Sequence, residues 1–267
     1  MMVVKIGGSV LGKKVNYTLI DEIKEFALRK EIVLVHGGGD EVTNIASKLG
    51  KEQIFITSPG GIRSRYTDKE TAEIYTMVMV GKLNKAIVTE LQRRGVNAVG
   101  LCGIDGMLIK AERKKRLIMI DERGRKRIID GGYTGKIVKV NSKLLNLLIE
   151  NNYTPVVSPV AIGDEYEMLN VDGDRAAAYV AGALKADYII FLTDVKGVII
   201  DNNVIKRMSL NEAEERMKEI GPGMITKVLA SIEALKMGVK HAIICPGNVT
   251  NPLNSALNGK TGTHIVY

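Results

Sequence analysis

The sequence predicts an α/β fold of three layers, α/β/α, around a mainly parallel central sheet. Three observations carry this reading. Short apolar runs alternate with amphipathic stretches along nearly the whole chain, the order of a helix-covered parallel sheet. The runs 32–35 and 188–192 are apolar throughout, as strands buried on both faces are. Several runs stop on glycine or a small polar residue, and at such strand ends these sheets place their ligands.

The elements follow in order. Val3 to Ser9 reads as a strand ending on Gly7 and Gly8. Residues 16–30 have apolar positions at helical spacing, and 32–35 is a strand that stops at His36-Gly37-Gly38-Gly39 before a helix over 41–49. A short strand at 53–56 leads into a glycine- and arginine-rich loop over 57–67. Thr67 or Asp68 caps one long helix to about residue 94, with Ile74, Met77, Val78, Leu83, Ile87 and Leu91 inward. Residues 96–101 form a strand and 107–140 a hairpin excursion; a helix at 142–150 and a strand at 154–158 follow. In the second half the pattern gives a helix over 172–184, a strand over 188–192 and an extended piece at 198–200. Helices near 210–218 and 224–237, a strand at 242–245 and a last apolar stretch to Val266 complete it. The chain reads as a single domain, 1–267, with a soft division near Val160 into lobes of about 1–160 and 161–267.

Composition narrows the function. A hydrophobic content of 45% over 267 residues supports a full core. No apolar run approaches the ~20 residues of a membrane helix, and the N-terminus reads as a strand rather than a leader, so the expected location is the cytoplasm. Cys102 and Cys245 lack metal-site or Cys-x-x-Cys spacing and are expected as buried free thiols. The net charge of +8 is concentrated: residues 110–127 hold nine basic side chains against three acidic ones. Such a patch is either a solvated face or a surface for an acidic partner. Only 4% of residues are aromatic and none lies in the patch, so stacking platforms for nucleic acid are scarce.

The two glycine turns carry the chemistry. Glycine lets main-chain N–H groups come close to a ligand, and the start of the following helix favours an anion. Lys5, inside the otherwise apolar run before Gly7 and Gly8, is costly to bury unless an anion meets it. Together the turns suit a phosphoryl group held from two sides. The spacing fits neither the Gly-x-x-x-x-Gly-Lys-Ser/Thr loop nor the Gly-x-Gly-x-x-Gly fingerprint.

Four further stretches join them: Asn170-Val171-Asp172-Gly173-Asp174, Thr193-Asp194-Val195-Lys196-Gly197, Gly221-Pro222-Gly223-Met224-Ile225-Thr226-Lys227 and Gly61-Ile62-Arg63-Ser64-Arg65-Tyr66-Thr67. With Lys5-Ile6-Gly7-Gly8 and His36-Gly37-Gly38-Gly39, these motifs stand in an order that resembles the amino acid kinase family, acylglutamate kinase type, over the whole length. The resemblance implies transfer of the γ-phosphoryl of ATP, with magnesium on its phosphates and no dedicated protein metal ligand, to a side-chain carboxylate. It implies that Lys5 and Lys227 stabilise the transferring group and that Asp174 orients them. Gly8, Gly38 and Gly39 would offer main-chain N–H groups, Arg65 would clamp the substrate's backbone carboxylate and Asn170 its amino-acid part. Asp194 to Gly197 and Gly221 to Gly223 would line the nucleotide pocket. His36 is expected to be structural, because carboxylates are already ionised at neutral pH and need no base.

One departure narrows the substrate. The arginine loop carries two more residues and a second arginine, Arg63, than the usual Gly-x-Arg-x-Thr of acylglutamate kinases. This is similar to the branch that phosphorylates 2-aminoadipate or glutamate while the amino group is blocked by the γ-carboxyl of the terminal glutamate of a small acidic carrier protein. That carrier would give Arg63 and the 110–127 patch a partner. The alternatives are a kinase for free N-acetylglutamate, a basic RNA-binding module and a silent sensor. No membrane partner is expected, and relatives suggest a homodimer.

Overall fold

The structure, a computed structural model, describes residues 1–8 and 17–267; Ser9 and the expected helix start at Asn16 lie outside the described residues. The chain opens with strand β1 (Met2–Ile6), helix α1 (Tyr17–Leu28), strand β2 (Ile32–His36) and helix α2 (Gly39–Lys48). A hairpin of β3 (Phe55–Thr57) and β4 (Arg63–Arg65) leads to α3 (Lys69–Thr76), a π-helical segment (Met77–Leu83) and α4 (Asn84–Arg93). After β5 (Ala98–Cys102) comes the excursion β6 (Ile109–Arg113), β7 (Arg116–Ile120), β8 (Lys126–Asp130) and β9 (Gly135–Val140). Helix α5 (Ser142–Glu150), strands β10 (Thr154–Ser158), β11 (Val160–Ile162) and β12 (Met168–Asn170), and helix α6 (Gly173–Ala183) lead to β13 (Tyr188–Thr193). The remainder is β14 (Ile199–Ile200), β15 (Asn203–Val204), β16 (Arg207–Ser209), α7 (Leu210–Glu215), α8 (Met224–Lys236), β17 (His241–Pro246), α9 (Pro252–Leu257) and β18 (Thr263–Val266).

Eight strands form the central sheet in the order β16-β18-β17-β13-β1-β2-β10-β5, parallel except where β18 runs against β17. The period of two sorts each strand between two cores. Val3, Val33, Val35, Ile189 and Phe191 face one layer, with Ala176 and Ala177 of α6 and Val228 of α8. Val4, Leu34 and Ile190 face the other, with Ile23 of α1, Leu91 of α4 and Leu253 of α9. The three-layer α/β/α expectation therefore holds. Cys102 and Cys245 are buried free thiols. Among the described residues no helix is long and apolar enough to cross a membrane.

The differences from the sequence reading have local causes. The loop expected over 57–67 is partly strand: Ser58 and Ile62 close a turn, and Arg63–Arg65 pairs back on Phe55–Thr57. Asp68 caps the long helix by accepting from the Thr71 N–H, but a π segment interrupts its regular period. Met77, expected inward, is 57% exposed, whereas Met79 is 1% exposed. Strands β11, β12 and β16, of three residues each, and helix α9, of six, are too short for periodicity to mark them.

Phe191 is fully buried at the middle of the sheet. Phe191→Ala is expected to cost about 3–5 kcal/mol in unfolding free energy measured by urea denaturation; a loss below about 1 kcal/mol would contradict this packing.

Candidate active site

The carboxyl ends of β1, β2 and β13 open into a cavity of about 650 Å³. Alternation on β1 sends Lys5, like Val3, to the face covered by α6. Helix α6 starts there because Asp172 caps it, its carboxylate accepting from the Arg175 N–H at 2.8 Å. Ala176, Ala177 and Ala178, all fully buried, let the helix lie close to the sheet. Asp174 is thereby held in the first turn, where a carboxylate also meets the positive end of the helix. Lys227 occupies the first turn of the neighbouring α8, after Gly223.

These three groups converge. Lys5 Nζ lies 2.8 Å from Asp174 Oδ1, and Lys227 Nζ lies 3.3 Å from Asp174 Oδ2. Thr226 Oγ1 donates to the same Oδ2 at 3.1 Å. The side chains of Lys5 and Asp174 are only 9% and 5% exposed. Burial works to raise the Asp174 carboxyl, but the charges of Lys5 and Lys227 overcome it and hold the group below the usual carboxylate range. Asp172 lines the same cavity but is solvent-exposed; its crowded surroundings and the neighbouring Asp174 charge push its carboxyl upward.

The two glycine turns lie side by side above this cluster. A Cβ on Gly8 would stand 3.1 Å from Gly38 Cα, and one on Gly38, whose φ is 148°, would stand 2.0 Å from Leu83 Cδ1. Only glycine lets the two backbones approach so closely. Behind them His36 is fully buried. Its Nδ1 lies 3.0 Å from the Gly37 carbonyl and so carries the proton, leaving Nε2 to face Ser158 Oγ at 2.9 Å and Asn84 Nδ2 at 3.3 Å. Burial, with Lys5 nearby, lowers the imidazole to about 4. It is neutral at physiological pH, a support for the turn and no base. The π segment completes the support, since Ser158 Oγ also reaches the Met79 carbonyl at 3.4 Å.

Of the other expected residues, Arg65, Arg63, Gly39, Asn170 and Asp194 line the cavity. Arg65 is 8% exposed and donates to the Gly39 carbonyl at 2.8 Å, Thr43 Oγ1 at 2.9 Å and Gln53 Oε1, so its fork is fixed beside the start of α2. Arg63 stacks its guanidinium over Phe55, 4.4 Å from the ring centroid. Asn170 donates to Thr67 Oγ1 at 2.9 Å. Gly197, Gly221 and Gly223 do not line the cavity. Gly197 packs against Thr263, the Gly221 carbonyl accepts from Ile225, and the Gly223 carbonyl accepts from Thr226 Oγ1 at 3.1 Å.

The model of the amino acid kinase family matches residues 1–246. The chain belongs to the amino acid kinase family. Within it, a protein of Cenarchaeum symbiosum (strain A) is 58% identical over 99% of each chain. The [LysW]-aminoadipate/[LysW]-glutamate kinase of Sulfolobus acidocaldarius is 48% identical over 99% of this chain and 100% of its own. Among solved structures, N-acetylglutamate synthase from Neisseria gonorrhoeae superposes with a TM-score of 0.81 at 20% identity, covering 100% of this chain and 59% of that one, which speaks for the fold alone. With kinases as its full-length relatives, this amino acid kinase family member is an enzyme of the phosphotransferase class.

Sequence reasoning missed Thr226, Arg175 and Lys114, which also line the cavity. Arg175 forms a two-point ion pair with Glu233 of α8, at 2.6 and 2.9 Å, and so ties together the helices that carry Asp174 and Lys227. Its place beside Asp174 in the motif was a usable signal; Lys114 was hidden inside a basic run.

Because the folded pKa of His36 lies below the unfolded value near 6.5, the unfolded chain binds the extra proton between the two. Stability is therefore expected to fall by on the order of 3 kcal/mol as pH drops from about 6.5 to about 4. His36→Gln removes that contribution, so the pH slope of the urea-derived unfolding free energy in this window should be shallower; identical slopes would contradict a buried neutral imidazole.

Proposed function

We propose that this kinase transfers the γ-phosphoryl group of ATP to the side-chain carboxylate of 2-aminoadipate or glutamate held through its amino group by a small acidic carrier protein. The observation that carries the reading is one carboxylate, Asp174, drawing Lys5 and Lys227 together beneath two abutting glycine turns. The names of full-length relatives support the substrate.

In this reading a substrate carboxylate oxygen attacks the γ-phosphorus in line, the bond from that phosphorus to the bridging oxygen breaks, and ADP leaves with the bridging electron pair. No base is required. The reaction instead needs charge on the equatorial oxygens neutralised and the partners aligned. Lys5 and Lys227 supply the charge, and the N–H groups of Gly8, Gly38 and Gly39 supply fixed dipoles at the start of α2. Arg65 holds the substrate's backbone carboxylate and Asn170 its amide side. Asp194 would meet the nucleotide within the cavity, and Gly197, Gly221 and Gly223 would bound it outside the cavity lining. Magnesium would come with the ATP phosphates, which with water would supply its oxygen ligands, and no side chain of this chain is assigned to it. It would add positive charge against the phosphates.

The sheet order supports the lobe division near residue 160. Strands β1, β2, β10 and β5 form one half and β13, β17, β18 and β16 the other, with the cavity over the seam between β1 and β13. We assign the half from 1 to 160 to the acyl substrate and carrier and the half from 161 to 267 to the nucleotide. Exposed Lys115, Arg116, Arg123 and Lys126 on the β7–β8 arm, close to the cavity mouth lined by Leu117 and Ile118, suit an acidic carrier. The proposed setting is a cytoplasmic homodimer; buried free thiols accord with a reducing compartment.

ADP release measured with carrier-linked aminoadipate, carrier-linked glutamate, N-acetylglutamate and free aminoadipate tests the reading. Turnover is expected only with the carrier-linked acids; rapid turnover of N-acetylglutamate alone would overturn it. In the same assay Lys5→Ala or Lys227→Ala should lower kcat by about 10²-fold or more, and near-normal rates in both would remove the lysines from the chemistry.

A further inference from the structure

The cations of the basic run 110–127 do not share one fate. Lys110 pairs with Asp164 at 2.7 Å, Arg125 and Arg127 with Asp121 at 3.3 and 2.8 Å, and Arg113 donates to the Gly132 carbonyl at 2.6 Å while stacking on Tyr133. Lys114 differs: it is half-buried, it lines the cavity, and among the described residues no carboxylate stands within ion-pair distance of it. Its acidic neighbour Asp172 is near enough to be felt but not to pair, and of its basic neighbours Arg175 is already engaged by Glu233 while Lys136 adds further positive charge. Burial, with Arg175 beside it, works against the ammonium and lowers its pKa. A half-buried ammonium without a counter-ion is costly, and a cavity anion would relieve the cost.

The position is also built. The Lys114 N–H donates to the Thr134 carbonyl at 2.9 Å, and the Gly131 N–H donates to the Lys115 carbonyl at 3.1 Å. A Cβ on Gly131 would fall 1.5 Å from the Lys114 carbonyl oxygen, so this turn closes only because residue 131 is glycine. Lys114 lines the cavity together with Leu117, Ile118 and Thr134, as do Arg65 and Asn170, and it lies in the half of the chain, 1 to 160, assigned to the acyl substrate.

We propose that Lys114 binds a second carboxylate of the acyl substrate, one that lies beyond its blocked amino group. The inference rests on the carrier-bound reading above. An amino acid joined to the side chain of a C-terminal glutamate leaves that glutamate's own α-carboxylate free, a few bonds past the new amide. Lys114 thereby separates carrier-borne substrates from simple N-acyl amino acids, which bring no such group. It acts on binding and leaves the phosphoryl step to Lys5 and Lys227.

The test is steady-state kinetics of the full chain with wild type, Lys114→Met and Lys114→Arg. The substrates are carrier-linked aminoadipate and a short tail peptide bearing the same linkage, its terminal α-carboxylate either free or amidated. Lys114→Met should raise KM for the carrier-linked acid tenfold or more, with kcat and the KM for ATP within twofold of wild type, and Lys114→Arg should restore most of the loss. Amidation should raise the peptide KM for wild type by a similar factor and leave Lys114→Met unaffected. Indifference of wild type to amidation, or an unchanged KM in Lys114→Met, overturns the inference while leaving the proposed function in place. A rise confined to the KM for ATP overturns it in favour of a phosphate contact. Failure of wild type to use any carrier-linked acid removes the proposed function, and the inference falls with it.

Discussion

The site depends on one carboxylate between two ammonium groups. Lys5 and Lys227 come from opposite ends of the chain, and two like charges on largely buried side chains repel one another and forfeit hydration. Asp174 offsets both effects at once, one oxygen to each lysine. The cluster keeps a net positive charge, and the cavity exposes that charge toward the glycine turns. An anion entering there meets fixed charges and main-chain dipoles that need no rearrangement, the arrangement that lowers the barrier of a phosphoryl transfer.

The fold serves that contact. Strand β1 runs in parallel between β2 and β13, so its carboxyl end and the first glycine turn fall beside the second turn and beside Asp194. Fully buried alanines bring α6 down onto the sheet, and the Arg175–Glu233 pair holds α6 to α8, which fixes Asp174 relative to Lys227. On the other side of the turns, His36, Ser158 and Asn84 form a buried polar network whose members satisfy one another, with Asn84 also donating to the Val156 carbonyl at 2.9 Å. The cradle is thus braced from behind by neutral hydrogen bonds while its open side carries the charge.

Much of this was legible in the sequence, for physical reasons. Runs such as 188–192 have one stable fate, a strand covered on both faces, and the glycine turns after Ile6 and His36 marked the ligand end of the sheet before any coordinates. Lys5 was visible because a lysine inside an apolar strand demands an explanation. What escaped was set by tertiary contact. The π segment at Met77–Leu83 leaves the apolar pattern nearly intact, yet it turns Met77 outward and buries Asn84 against His36. Arg63–Arg65 reads as a loop until Phe55–Thr57 is there to pair with it. Lys114 is one cation among nine in its run, and nothing in the run itself marks it as the one that lines the cavity.

The most direct test of the account is the rate of a single turnover in Asp174→Asn, followed as ADP formed from enzyme-bound ATP and carrier-linked aminoadipate by rapid quench. With the bridging carboxylate neutralised, the two ammonium groups repel and lose their placement, so the rate should fall by about 10²-fold or more while ATP affinity is retained. A rate within a few-fold of wild type would contradict the claim that Asp174 holds Lys5 and Lys227 in their working positions.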